Sequence, residues 1–275
     1  MSLRNIYYSL SPNMRLLARK IVYFPIDVFS SNKSIPKKGD VFIGSGDFVA
    51  QGKHQLKLLT TYADLKPENS VLDIGSGIGR TAFALKTYLN KNGQYEGFDV
   101  VEKGVVWCQK NISNEHANFN FKYVPLNNDL YFLTDKKAEQ FTFPYGSNSF
   151  DTIYLFSVFT HMQPPEVQNY LNEINRVLKP NGKCLATFFT YNNDKETQIS
   201  SNNNGFNFAF EKDNYRLMNE KVPSANIAFS DLKMHEMLKI ASLKIEKQIN
   251  GNWKSSEKVN HLQDYQDVII LQSIV

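Results

Sequence analysis

The chain has 275 residues, 42% of them hydrophobic and 21% charged, proportions that exclude a largely disordered or fibrous protein and suit one large domain with an appendage. Its net charge of +4 is unevenly placed: residues 1–40 hold seven Lys or Arg against Asp27 and Asp40, a balance of +5, and 24 basic against 25 acidic residues remain for the rest. A nucleic-acid groove needs clustered positive charge at the site, so this distribution argues against a nucleic-acid partner for the main domain.

Cys108 and Cys184 offer neither a disulfide framework nor a metal-ligand spacing, and both are expected to be small buried residues. No apolar run reaches the length of a membrane span, and the first residues lack the succession of a signal peptide. A soluble, cytoplasmic protein without a metal is expected.

Residues 1–55 read as an N-terminal arm ahead of a main domain over 56–275. Met14, Leu17, Ile21 and Val22 fall on one face of a basic helix with Arg15, Arg19 and Lys20, which Pro25 is expected to stop. The expectation is a helix docked on the domain or over a bound cofactor; peripheral membrane contact through the arm is the alternative. Small residues in Ile43-Gly44-Ser45-Gly46-Asp47-Phe48 suggest a hinged lid.

From Ser70 onward short apolar runs alternate with amphipathic stretches, the pattern of a doubly wound α/β domain. Strands are expected at Val71–Ile74, Tyr95–Val100, Phe119–Val124, Phe150–Ser157, Gly182–Thr190, Lys244–Ile249 and Asp267–Gln272. Helices are expected at Arg80–Leu89, Glu102–Ile112, Pro165–Leu178 and Ser230–Ala241. The helix at Pro165 is the clearest, because Val167, Tyr170, Leu171, Ile174, Val177 and Leu178 recur at helical spacing. Two polar connections, 127–149 and 192–229, read as lids or disordered insertions.

Residues 71–80, Val-Leu-Asp-Ile-Gly-Ser-Gly-Ile-Gly-Arg, carry a strand into a glycine-rich turn and then a helix. Glycine lets backbone approach a ligand and adopt dihedrals closed to other residues. About twenty residues beyond the last glycine, the next strand ends in Asp99, a carboxylate able to accept both hydroxyls of a ribose. The pair points to a nucleoside-containing cofactor. A dinucleotide fingerprint begun at Gly75 would place its third glycine at Arg80, and one begun at Gly77 starts too far past the strand.

Asp73–Gly79 with Asp99, together with the runs at 95–100, 102–112, 143–162 and 173–182, resembles the class I S-adenosylmethionine-dependent methyltransferases, in particular the type 11 group. The resemblance implies a seven-stranded, mostly parallel sheet with an antiparallel last strand. It also implies that Gly75, Gly77 and Gly79 line the methionine part of the cofactor, Asp73 helps hold its ammonium group, and Asp99, with Val100 beside it, holds the ribose. Where relatives place an Asp near the adenine amine, this chain has Asn127 and Asn128, either of which could substitute.

The loop after the fourth strand contains His161, the candidate base or acceptor-orienting group, or a residue that shapes the loop. Phe48, Trp107, Tyr145, Tyr191, Trp253 and Tyr265 are aromatics able to line an acceptor pocket or to pack, and Gln266 and Asp267 could reach it. The run Gln163-Pro164-Pro165-Glu166 lacks the Asn or Asp that opens an amino-methyltransferase motif, which favours a small molecule, sugar or lipid head group. The other readings are a nicotinamide-dependent oxidoreductase and a noncatalytic S-adenosylmethionine-binding protein.

Overall fold

The structure is a computed structural model that describes residues 12–29, 34–41, 46–129, 133–192, 199, 206–254 and 265–274. In chain order the principal elements are α1 (Pro12–Val28), α2 (Phe48–Tyr62), β1 (Ser70–Ile74), α3 (Arg80–Leu85), β2 (Gln94–Asp99), α4 (Glu102–Cys108), β3 (Phe119–Tyr123) and β4 (Phe150–Leu155). Then come α5 (Pro164–Val177), β5 (Leu178–Phe188), β6 (Thr190–Tyr191), β7 (Phe210–Glu211), β8 (Tyr215–Leu217), β9 (Ile227–Ser230), α6 (Asp231–Ile240), β10 (Leu243–Ile249) and β11 (Asp267–Ser273).

Seven strands form one sheet in the order β10-β11-β5-β4-β1-β2-β3. All neighbours are parallel except that β11 runs antiparallel to both β5 and β10. The order reverses between β1 and β4, the place where a doubly wound sheet opens a crevice at its carboxyl ends. Successive strand residues feed opposite layers. Leu72 and Ile74 join Ile153, Leu155 and the α5 stripe of Val167, Tyr170, Leu171 and Ile174, whereas Val71, Tyr95 and Leu185 pack with Leu58 and Leu59 of α2, Leu85 of α3 and Val105 of α4. Both cysteines are buried.

Helix α5 starts as its residues predict: Glu166 accepts the N–H of Gln163 at 2.6 Å in a capping box, and prolines occupy its first two positions, where a missing donor costs nothing. The predicted helix at 102–112 is present as α4 followed by a wider-wound turn over Gln109–Ser113.

Three expectations are revised. The first helix runs through Pro25 to Val28, because proline removes only its own backbone bond and the last turn has few to lose. Helix α2, which was not expected, straddles residue 55; Asp47 caps it by accepting the N–H of Ala50 at 2.7 Å, and Leu58 and Leu59 enter the core. Finally, 206–229 is ordered: β7, β8 and β9 build a second sheet with β6 in the order β6-β9-β8-β7, over a cluster of Phe189, Tyr191, Phe208, Ala228 and Trp253. The Ser200–Asn204 run lies outside the described residues.

Helix α2 is held tightly against the start of α3. A Cβ at Gly52 would lie 2.4 Å from the carbonyl oxygen of Arg80, a backbone atom that cannot swing aside. In an open helix Gly→Ala gains roughly 1 kcal/mol, but overpacking against backbone costs about 1–3 kcal/mol. Gly52→Ala is therefore expected to destabilise the protein by about 1 kcal/mol or more in chemical denaturation; a gain in stability would show that α2 is not seated this closely.

Candidate functional site

The crevice at the carboxyl ends of β1, β2 and β4 is lined by Asp73, Gly75, Ser76, Gly77, Asp99, Val100, Asn127, Asn128 and His161. Every sequence-predicted site residue is there except Gly79. The turn after β1 takes left-handed dihedrals at Gly75 (φ 78°), Gly77 (φ 57°) and Gly79 (φ 75°), which side chains disfavour. The three do different work. A Cβ at Gly75 would meet Val158 Cγ2 at 2.5 Å, so this glycine admits the loop after β4 to the crevice; at Gly79 it would meet Cys108 Sγ at 2.6 Å, so that glycine lets α4 close on the turn. Gly79 faces the α4 layer and not the cavity, because one φ > 0 step turns the chain away from it.

Asp99 fixes the turn. Its Oδ2 accepts the N–H of Gly77 and its Oδ1 the N–H of Val101, both at 2.7 Å. Burial pushes its pKa up to about 6 in spite of these bonds, which favour the charged form. Beneath it, Asp73 is raised to about 7 by burial, opposed by the hydroxyls of Tyr95 and Tyr154, which donate to its Oδ2 at 2.6 and 2.8 Å. Two buried carboxyls, both raised by burial above the usual carboxylate range, thus lie at one strand-end crevice.

The opposite wall comes from the β4 loop, where Ser157 sits at φ 59° and donates its hydroxyl to Gln266 Oε1 at 2.9 Å. His161 closes a short helical turn, and its Nδ1 lies 2.7 Å from the carbonyl oxygen of Ser224. A carbonyl only accepts, so Nδ1 carries the proton and Nε2 is the basic nitrogen of the neutral ring. Ile78 lines the crevice and packs beneath Phe48 and Val41, which brings the arm's end over the glycine turn. Ile43, Gly44 and Ser45 of the expected hinge lie outside the described residues.

The aromatics singled out in the sequence do not line this cavity; Phe98, Phe156 and Tyr170 do. Phe48 and Trp107 meet edge to face beside the turn, Tyr145 packs on Phe150, and Tyr191 and Trp253 lie in the core of the small sheet, next to the Phe206–Tyr265 pair. Asp267 is consumed structurally, accepting from Thr190, Gly251 and Trp253, whereas Gln266 reaches the site through Ser157. Sequence reasoning missed Gln55, which lines the cavity and accepts the hydroxyl of Thr81 at 2.7 Å, because α2 was missed with it. It also missed Glu166 and Tyr170, whose helical stripe reads as core alone.

These residues fit S-adenosylmethionine. Ser76 Oγ is buried in the crevice with no hydrogen-bond partner among the described residues, so the lining offers a polar group that a bound molecule would satisfy. Carboxylates at the turn suit a zwitterionic sulfonium, and among the described lining residues Arg80 is the single lysine or arginine that could meet a pyrophosphate.

Comparison with known proteins agrees. Over 146 residues the chain is 27% identical to the ubiquinone/menaquinone biosynthesis C-methyltransferase of Wigglesworthia glossinidia brevipalpis, covering 52% of this chain and 53% of that one. Over 140 residues it is 29% identical to a tRNA N(3)-cytidine methyltransferase of Bos taurus, covering 50% of this chain and 34% of that one. The chain thus spans about half or less of the length of these curated relatives. Among solved structures, a SAM-dependent methyltransferase from Methanosarcina mazei superposes with a TM-score of 0.53 at 17% identity, over 79% of this chain and 97% of that one, and so shares the fold. Residues 65–242 match the family described as "Methyltransferase domain", and the chain belongs to that family, whose cofactor is S-adenosylmethionine.

Proposed function

We propose that the protein transfers the methyl group of S-adenosylmethionine, in line, to a small molecule, sugar or lipid head group. The observation that carries this reading is Asp99: a buried carboxylate at the end of β2, oriented by the backbone N–H groups of Gly77 and Val101 and lining the crevice where a ribose hydroxyl could meet it. In this reading Gly75 and Gly77 bring backbone against the methionine moiety, Asp73 faces its ammonium, Val100 gives the base an apolar wall, and Asn127 or Asn128 meets its polar edge. The cofactor supplies a methyl group on a sulfonium, an electrophile that needs no metal or activating phosphate.

What remains for the chain is alignment and exclusion of water. His161, its tautomer set by Ser224, is the candidate to take a proton from the acceptor through Nε2. The quinone-pathway relative favours a small or lipid-like acceptor, and the near-neutral charge of the main domain agrees. The tRNA-modifying relative makes tRNA the second reading. A transfer assay across metabolites, quinone-like lipids and tRNA decides between them, and turnover on tRNA alone would overturn the first.

The raised carboxyls make binding and stability respond oppositely to pH. Asp73 and Asp99 titrate at about 7 and about 6 in the folded chain against 3.8 in the unfolded one, so the native state holds more protons across that window. Without ligand, stability is expected to rise as pH falls from 7 towards 4, and Asp73→Asn should flatten that slope. Affinity for S-adenosylhomocysteine, which needs the carboxylates, should fall over the same range. Asp99→Ala should weaken it roughly 10- to 100-fold, since a hydrogen bond to a charged group is worth about 1.5–3 kcal/mol. Titration calorimetry showing pH-independent affinity, or wild-type affinity in Asp99→Ala, would remove Asp99 from the ribose.

His161→Asn can still donate to Ser224 but cannot act as a base. It should leave S-adenosylhomocysteine affinity unchanged and lower kcat by roughly 10²–10⁴. Wild-type kcat in this variant, with His161→Ala impaired, would make His161 a positioning residue.

A further inference from the structure

Helix α1 is built inside out. Amphipathic surface helices bury their apolar stripe, yet here the row Arg15, Arg19, Tyr23, Asp27 turns inward. Arg15 is buried, Arg19 Nε donates to the Lys38 carbonyl at 3.2 Å, and the Asp27 carboxylate accepts the N–H groups of Lys38 and Gly39 at 2.7 and 2.8 Å. Lys20 pairs with Asp40 at 3.7 Å, and Asp40 also pairs with Lys103 at the start of α4. The stripe at spacings of three and four, Met14, Leu17, Ile21, Phe24 and Val28, faces solvent; Leu17 is 59% exposed and Ile21 and Phe24 are each 66% exposed. Val22 and Phe29 extend it. Polar bonds hold the helix with its apolar side out, so the exposure is not a loosely packed core face, and a patch of this kind marks an interaction site.

We propose that this face docks the protein on a lipid bilayer with anionic head groups, with α1 lying in the plane of the surface. Charge selects the occupant. The stripe sits in the one strongly basic part of the chain, the +5 of residues 1–40, and Lys20, three residues after Leu17 and four before Phe24, stands exposed at its edge. A second copy docking through the same face would set one +5 arm against another. No helix among the described residues is long and apolar enough to cross a membrane, so binding is peripheral. Apolar side chains enter the head-group boundary while Lys20 faces lipid phosphates, a contact worth about 1 kcal/mol near such a surface.

The test is flotation of the full chain with vesicles of phosphatidylcholine alone and of phosphatidylcholine mixed with phosphatidylglycerol. Binding is expected only to the mixed vesicles, weakened by salt, reduced roughly fivefold by Lys20→Gln and further by Lys20→Glu. The double variant Leu17→Glu, Ile21→Glu should abolish it with unchanged melting temperature and S-adenosylhomocysteine affinity, which keeps this outcome separate from any failure of the cofactor reading. If the double variant unfolds, the lysine variants and the salt dependence still decide. Failure of the wild type to float with anionic vesicles would overturn the proposal. So would a dimer in light scattering that the glutamates dissolve while vesicles stay unbound, which would assign the face to a second copy.

Discussion

The site depends on the hydrogen bond from the Gly77 N–H to the Asp99 carboxylate, which acts with the Gly75 and Ser76 N–H groups bonded to the Phe98 carbonyl to tie the glycine turn to the end of β2. Strands β1 and β2 are paired along their length, but pairing ends before the turn, and a glycine-rich loop left to itself has more conformational freedom than any other sequence of its length. The carboxylate at the end of β2 reaches across and holds that loop in one shape. It does so at the cost of burying a charge, and what makes the burial tolerable is that both oxygens are already bonded to backbone. A ligand then meets a loop whose ordering has been completed by the fold.

The surrounding elements act on this bond from two sides. Behind it, Tyr95 and Tyr154 share one oxygen of Asp73, so the second carboxyl is oriented by neutral donors and no cation competes for it. In front, Gly75 allows Val158 to approach, and the left-handed Ser157 is tied to Gln266 at the threshold of β11. The two walls of the crevice are therefore anchored in opposite halves of the sheet, where the strand order reverses.

Strands β1 and β4 were legible because each is a short, mostly apolar run buried on both faces. Asp99 was legible because a strand-end carboxylate after a glycine turn has few structural uses. Glycine spacing alone could not say which way each glycine faces, which is why Gly79 joins Gly75 and Gly77 in the sequence and parts from them in space. Helix α2 escaped notice since Gly52 sits in its middle and only Phe48, Leu58 and Leu59 are buried hydrophobics on it. The small sheet escaped because β7 is two exposed residues and β8 is three, too short for any alternation to register. The aromatics were misplaced for a related reason: composition counts rings, whereas only tertiary packing decides whether a ring meets a cavity, as Tyr170 does, or a core, as Trp253 does.

Strand β11 follows every other strand in the chain yet lies inside the sheet, between β5 and β10. During synthesis the long edge of β5 emerges well before its antiparallel partner and has to wait with its N–H and C=O groups unpaired. Val268, Ile269, Ile270 and Leu271 arrive last and complete both hydrophobic layers at once. A domain folded without β11 would leave the β5 edge bare, the kind of surface that drives misassembly.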